Sequence, residues 1–360
     1  YDASAPAEDL IQSAFIVMDY TGTVQAVVGG LGDKPGDGTF NRATQATRSP
    51  GSTMKPISTY SLAVQKNLIT YSTLIPDAQI NIGTEDEPQN YGSVIGDGTL
   101  RPAWYGVEHS LNTLAVRVGR MNTTKAMYNQ LTQMLGFTTL VEQDIALSPL
   151  SLGALTYGAK LVEVAGAYQI FGNGGVYYRP MFYSKVEDSK GNVILEQDFF
   201  GTQAIDSDTA WVTNRMIYKV VNGGSGTGPK AQMENVEVIG KTGTSNAGTD
   251  LLFMGLTPDY VGGLWIGYDD SREIGGGDGW KAVAAVWKEV MKDIQDTTEI
   301  HKFTPDASVV EKLYCTKTGL LATNKCDSTD IGYYRQSNLP AYCNGDHKAI
   351  REQIRAENPD

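Results

Sequence analysis

Two β-rich blocks at opposite ends of the chain restrict its fold more than any other feature. Near the start, Ala14-Phe15-Ile16-Val17-Met18 and Val24-Gln25-Ala26-Val27-Val28 are short apolar runs joined through Asp19-Tyr20-Thr21-Gly22, which reads as a hairpin. Some two hundred residues later, stretches 236–241, 251–256 and 260–267 follow one another, the last two separated only by the Pro258-Asp259 turn. Such short links force antiparallel neighbours, because a parallel pair needs a crossover of about a dozen residues. The economical solution joins residues 14–30 and 236–268 in one antiparallel sheet of about five strands.

The stretch between the blocks, about 50–220, reads mostly helical, for example over 125–135, 161–171 and 209–221. After the last strand, 280–294 places Val283, Val286, Trp287, Val290, Met291 and Ile294 at helical spacing, fit to cover one sheet face. The expected class is therefore α+β: a sheet flanked by helices, with a helical subdomain inserted and a cleft where sheet and insert meet. Residues 1–297 form this unit, and 298–360 read as a tail that holds all three cysteines and a short polar helix over 348–355.

Charge narrows the function. The chain has 360 residues, with 41 Asp+Glu against 29 Lys+Arg and a net charge of −12, which argues against nucleic acid as a partner. No apolar run approaches the ~20 residues of a membrane-spanning helix. The first residue is Tyr1, so the chain is expected to be a mature or truncated piece of something longer.

Three motifs carry chemistry, and their order matters. In Ser52-Thr53-Met54-Lys55-Pro56, the proline is compatible with a helix only in its first turn, so the helix must begin near Ser52. Ser52 and Lys55 then stand one turn apart on one face, a hydroxyl beside an amine at a helix N-terminus that favours a developing oxyanion. Lysine near its ordinary pKa of about 10.4 is almost never a base at neutral pH. Lys55 would need burial or a neighbouring cation to lower it by roughly 2–3 units, so a second lysine is expected nearby. Ser110-Leu111-Asn112 offers a hydroxyl and an amide two residues apart. Lys241-Thr242-Gly243-Thr244 supplies the second cation at the end of a strand; alternation sets both threonines on one face, and Gly243 admits close backbone approach.

Together these are the S-x-x-K, S-x-N and K-T-G signature of penicillin-binding proteins and serine β-lactamases, in order. From Ala14 to about Ile294 the chain resembles the transpeptidase domain of a bacterial bifunctional, class A penicillin-binding protein. The likeness includes Phe40-Asn41-Arg42-Ala43-Thr44, Leu155-Thr156-Tyr157-Gly158, Phe171-Gly172-Asn173-Gly174-Gly175, Gly255-Leu256-Thr257-Pro258-Asp259 and Trp265-Ile266-Gly267-Tyr268-Asp269-Asp270. One departure is visible: where the family usually has Asp, one residue and Trp-Phe, this chain has Asp250-Leu251-Leu252-Phe253.

The resemblance implies a serine D,D-transpeptidase acting outside the cytoplasmic membrane. Ser52, activated by Lys55, would attack the carbonyl between the terminal D-alanines of a peptidoglycan stem peptide, and an amine from a neighbouring stem would resolve the acyl-enzyme. Ser110 would relay a proton to the leaving amine, tuned by Lys241. Asn112 would hold the substrate amide, Thr242, Gly243 and Thr244 the terminal carboxylate region, and the N–H groups of Ser52 and Thr244 the oxyanion. No metal or organic cofactor is implied, and β-lactams should acylate the same serine. Class A relatives also imply a membrane anchor, a glycosyltransferase domain and cell-wall synthesis partners in the full-length protein.

Other readings stand beside this one. A serine β-lactamase or a D,D-carboxypeptidase shares the constellation but must activate water. Glu108-His109-Ser110-Leu111-Asn112 does fit an E-x-x-L-N pattern, yet it overlaps the S-x-N motif, so Glu108 reads as a surface or helix-start charge and His109 as structural or solvent-facing. A non-catalytic penicillin-sensing module is a third reading. Gly240-Lys241-Thr242 is not a P-loop, because Asn235 stands where its glycine belongs. Cys315, Cys326 and Cys343 with His347 fit no common zinc-finger spacing, and the preferred reading is one disulfide, Cys315–Cys326 by nearness, plus a spare thiol. The acidic run Glu85-Asp86-Glu87 reads as solvated loop.

Overall fold

The computed structural model describes residues 10–34, 36–80, 88–92, 94–245, 247–274 and 279–358; the run 85–87 lies outside them. Five strands form the central sheet: β1 (Gln12–Met18), β2 (Val24–Val28), β3 (Ile239–Thr244), β4 (Asp250–Leu256) and β5 (Val261–Gly267). Their order is β3-β4-β5-β1-β2, all antiparallel. The two ends of the chain meet where β1 pairs with β5, Gln12 opposite Gly267 and Met18 opposite Val261.

The helices that bear on the site are α1 (Ser61–Gln65), α2 (Ala103–Glu108), α3 (Asn112–Asn122), α4 (Leu161–Tyr168), α5 (Ser207–Asn222), α6 (Gly279–Lys292) and α7 (His347–Glu357). Strand alternation sorts the sheet into two cores. Ala14, Ile16, Met18, Leu252, Met254 and Leu256 join the large cluster shared with the helical insert. Phe15, Val17, Leu251, Phe253 and Leu264 face the other way, onto Val283, Ala284, Trp287 and Met291 of α6. Among the described residues, no helix is long and apolar enough to cross a membrane.

Three features differ from the sequence reading. The strand expected over 236–241 lies at Ile239–Thr244, so the whole Lys-Thr-Gly-Thr run is inside it. Asn235 adopts φ +61°, and the following residues pair elsewhere, with the Glu237 N–H donated to His301 O at 2.8 Å. The insert also contains short two-stranded ladders, such as Leu74–Asp77 with Thr99–Pro102. Finally, the tail folds: β6 (Val309–Cys315) and β7 (Thr329–Arg335) make a hairpin whose long connection carries no tight-turn signal.

That hairpin is docked on the insert. Tyr314, Leu321 and Tyr334 belong to the main core; Tyr334 Oη bonds Ser72 Oγ at 2.7 Å, and Arg335 pairs with Asp206 and Asp208 at 2.9 and 2.8 Å. The expected Cys315–Cys326 disulfide is absent. All three thiols are free, because the chain brings Cys343 and His347 to the same point as the other two.

Candidate active site

Ser52 lies in a tight turn over Gly51–Thr53, and Lys55 opens a wider turn, Lys55–Tyr60, that runs on into α1. Pro56 falls in the first turn, where its missing N–H costs nothing. The turn is tied down at both ends: Thr53 Oγ1 donates to Pro50 O at 2.7 Å, and Tyr168 Oη donates to Thr53 O at 2.6 Å.

Ser110 is brought to this turn by a local strain. It joins α2 to α3 with φ +56°, a left-handed conformation unusual for a residue with a Cβ. Lys241 Nζ donates to Ser110 Oγ at 2.8 Å, and Lys55 Nζ lies 3.3 Å from the same oxygen. Lys55 Nζ also donates to Ser110 O and Asn112 Oδ1, each at 2.6 Å, while Lys241 Nζ donates to Thr242 O at 3.0 Å. Ser110 is thus held between two lysine amines.

Both lysines are fully buried. Burial, and secondly the charge of Lys241, pushes Lys55 well below the ordinary lysine range. Burial brings Lys241 down to about 7. At Lys55 both effects, burial and the Lys241 charge, favour the neutral amine. A neutral Lys55 has two N–H donors, which the two short bonds consume, and a lone pair left to accept a proton. Ser52 Oγ is not hydrogen-bonded to Lys55 Nζ in this structure.

Two glycines allow the edge strand β3 to reach the serine turn. A Cβ on Gly243 would stand 2.6 Å from Pro50 O and 2.7 Å from Thr53 Cγ2. One on Gly51, at φ +50°, would overlap the Thr244 carbonyl. The backbone of Ser52 and that of Thr244 are thereby neighbours.

The remaining motif residues are already partnered. Asn112 Nδ2 donates to Gln89 O at 2.6 Å, leaving one of its two N–H donors for a ligand. Thr242 is buried, its hydroxyl 2.7 Å from Thr227 Oγ1, whereas Thr244 remains partly exposed. Sequence reading missed two supports. Thr227 lies in a glycine-rich stretch that signals only a loop. Asn90 replaces the side-chain cap that Leu111 cannot give α3: its Oδ1 accepts the Asn112 N–H at 2.8 Å, and buried Asp77 accepts from Asn90 and Thr113 at 3.0 and 2.7 Å. No local pattern points to either residue.

Glu108 requires a correction. It is not a surface charge but buried, at the C-terminal end of α2, where the loop 223–225 folds over it and the Ser225 N–H approaches Oε1 at 3.5 Å. His109 stacks on Tyr105 at 3.7 Å, a structural contact. Leu252, at the position of the family's usual tryptophan, is buried opposite Trp265, whose Nε1 donates to Asp250 Oδ1 at 2.8 Å. The Trp265 indole is buried in the main core. Two surface concavities, one beside β2 and α6 and one beside α5, include none of Ser52, Lys55, Ser110 and Lys241.

The fold thus gathers the three motifs beside the edge strand of an antiparallel sheet. Residues 12–272 match the family described as the penicillin binding protein transpeptidase domain, and the chain belongs to that family. It is 32% identical over 353 residues to penicillin-binding protein 1A of Clostridium tetani, covering 91% of this chain and 44% of that protein. With penicillin-binding protein 4 of Bacillus subtilis the identity is 34% over 275 residues, covering 76% and 42%. The chain thus spans less than half of these curated relatives.

Among solved structures, penicillin-binding protein 1A from Haemophilus influenzae superposes with a TM-score of 0.77 at 23% identity, covering 92% of this chain and 54% of that one. The PonA1 protein from Mycobacterium tuberculosis, in complex with penicillin V, superposes at 0.70 with 20% identity, covering 84% and 83%. At these identities the likeness is one of fold.

Proposed function

We propose that this chain is a serine D,D-transpeptidase in which Ser52 attacks the carbonyl of a D-alanyl-D-alanine stem terminus and an amine from a second stem resolves the acyl-enzyme. The observation that carries the reading is the convergence of two buried lysines on Ser110 Oγ beside the Ser52 turn. In this scheme Lys55 rotates to bring its lone pair to the Ser52 hydroxyl. Ser110, held by the charge of Lys241, returns the proton to the departing D-alanine nitrogen. The N–H groups of Ser52 and Thr244 receive the oxyanion, a feature typically worth about 10²–10³ in rate. Thr244, and Thr242 as set by Thr227, bind the terminal carboxylate, and the free N–H of Asn112 binds the donor amide.

Transfer rather than hydrolysis is supported by Glu108, which packs under the 223–225 loop and makes no hydrogen bond to the four central residues. The same reading places the domain on the extracytoplasmic face of a bacterial membrane, within a longer protein carrying an anchor and a glycan-polymerising domain. The test is turnover of a D-alanyl thioester or stem-peptide mimic with an added D-amino acid as acceptor. Formation of the exchange product by the wild type and its loss in Ser52→Ala are expected. Acylation without any product would favour the sensing module, and hydrolysis that the acceptor does not suppress would favour a carboxypeptidase.

A further inference from the structure

Cys315, Cys326, Cys343 and His347 form a cluster that the acyl-transfer chemistry does not use. Their ligand atoms all lie within 4.8 Å of one another, and Cys315 Sγ is 3.5 Å from His347 Nε2. A tetrahedral ion with metal–sulfur bonds of about 2.3 Å and a metal–nitrogen bond of about 2.0 Å sets its ligands about 3.5–3.8 Å apart. The cluster therefore needs only slight contraction. Cys315 and Cys343 are buried, and Cys326 and His347 are half-buried, so the centre is enclosed by protein.

We propose that these four residues bind one Zn²⁺ as a closed Cys₃His structural site. Three thiols and one imidazole are a donor set that suits zinc, and four protein ligands leave no open position for catalysis. On binding, the three thiols release their protons to solvent and the imidazole donates its Nε2 lone pair, which leaves the site with one net negative charge. A donor to sulfur is already in place for such a charge: the Thr323 N–H is 3.4 Å from Cys326 Sγ. A disulfide accounts for the cluster less well, since any one bridge would strand a buried or half-buried thiol against the histidine.

The site also has a job in the fold. Its ligands come from the end of β6, the β6–β7 connection, the loop after β7 and the first turn of α7. Much of the hairpin is exposed, so this unit has little core of its own and gains from a staple. Tyr314, next to Cys315, accepts the Trp104 Nε1–H at 3.0 Å, and Gly319 O accepts Ser72 Oγ–H at 2.6 Å. Zinc would thus fix the surface on which α2, the helix leading to Ser110, is braced.

The intact protein, purified without chelator, is tested by elemental analysis and by thiol alkylation under denaturing, chelating, non-reducing conditions. One zinc per chain and three alkylated thiols are expected. Replacement by Co²⁺ should produce thiolate-to-cobalt charge-transfer absorption. His347→Ala and Cys343→Ser should lose most of the metal and melt earlier, while folded protein still acylates Ser52. Zinc-free protein, a different metal in stoichiometric amount, or a single alkylated thiol with the other two joined would each overturn the assignment. These wild-type counts decide the matter even if both variants fail to fold.

Discussion

Replacing Lys241 with methionine separates electrostatics from proton relay. Lys55 and Lys241 both contact Ser110 Oγ, at 3.3 and 2.8 Å, so their nitrogens lie no more than about 6 Å apart. At an effective dielectric constant of about 20, two charges at that separation repel by roughly 3 kcal/mol. Removing Lys241 lets Lys55 hold its proton more tightly, so the acid limb of the pH–rate profile for β-lactam acylation should move to higher pH. Burial, the larger cause, stays in place, so Lys55 should remain below the ordinary lysine range. Stopped-flow acylation with a chromogenic cephalosporin across the pH range gives both the limb and its plateau. A displaced limb with a recovered plateau assigns Lys241 an electrostatic role, and a displaced limb with a lowered plateau adds participation through Ser110. An unmoved limb, or one displaced to lower pH, would refute the coupling. Stability offers a second reading. Lys241 falls from 10.5 to about 7 on folding, so the folded state binds fewer protons between those values and wild-type stability rises with pH across that window, by up to ~1.4 kcal/mol per unit for this group. The variant should lose that part of the slope in chemical denaturation.

Gly243→Ala forces a Cβ against Pro50 O and Thr53, which should cost about 1–3 kcal/mol in thermal unfolding and at least tenfold in acylation rate; an unaffected rate would show that the close approach of strand and turn is dispensable. Thr227→Val leaves the buried Thr242 hydroxyl without its partner, a loss of about 1–3 kcal/mol, and should raise the donor KM more than it lowers the acylation rate. The reverse split would take carboxylate binding away from Thr242. Glu108→Gln should leave the lifetime of a penicilloyl adduct, followed by mass spectrometry, within about twofold of wild type, whereas a lifetime extended about tenfold or more would make Glu108 a water-activating base.

The sheet was legible because its constraint is local: apolar runs joined by turns too short for any but antiparallel pairing. That the two blocks share one sheet followed from their free edges, whereas the pairing of β1 with β5 is set by long-range contacts that no stretch of sequence records. The site was legible because each motif is short and the order of the three is itself a signal; Pro56 fixed the helix start and the cost of a neutral Lys55 called for Lys241. Other parts depend on contacts that no window of sequence records. Thr227, Asn90 and Asp77 reach the site from distant segments. The burial of Glu108 depends on a loop more than a hundred residues further on. The β6–β7 hairpin was hidden by its thirteen-residue connection and half-exposed strands, which weaken the alternation of side chains. Cysteine spacing alone favoured a disulfide, because only the folded chain brings His347 alongside the three thiols.

The central claim is that Ser52, made nucleophilic by a neutral Lys55, carries the acyl group. It is tested most directly by intact-mass analysis and peptide mapping after incubation with a penicillin. The account predicts a single adduct on the peptide holding Ser52, none in Ser52→Ala, and a severely slowed adduct in a folded Lys55→Ala. An adduct retained by Ser52→Ala, or mapped to Ser110, would contradict it.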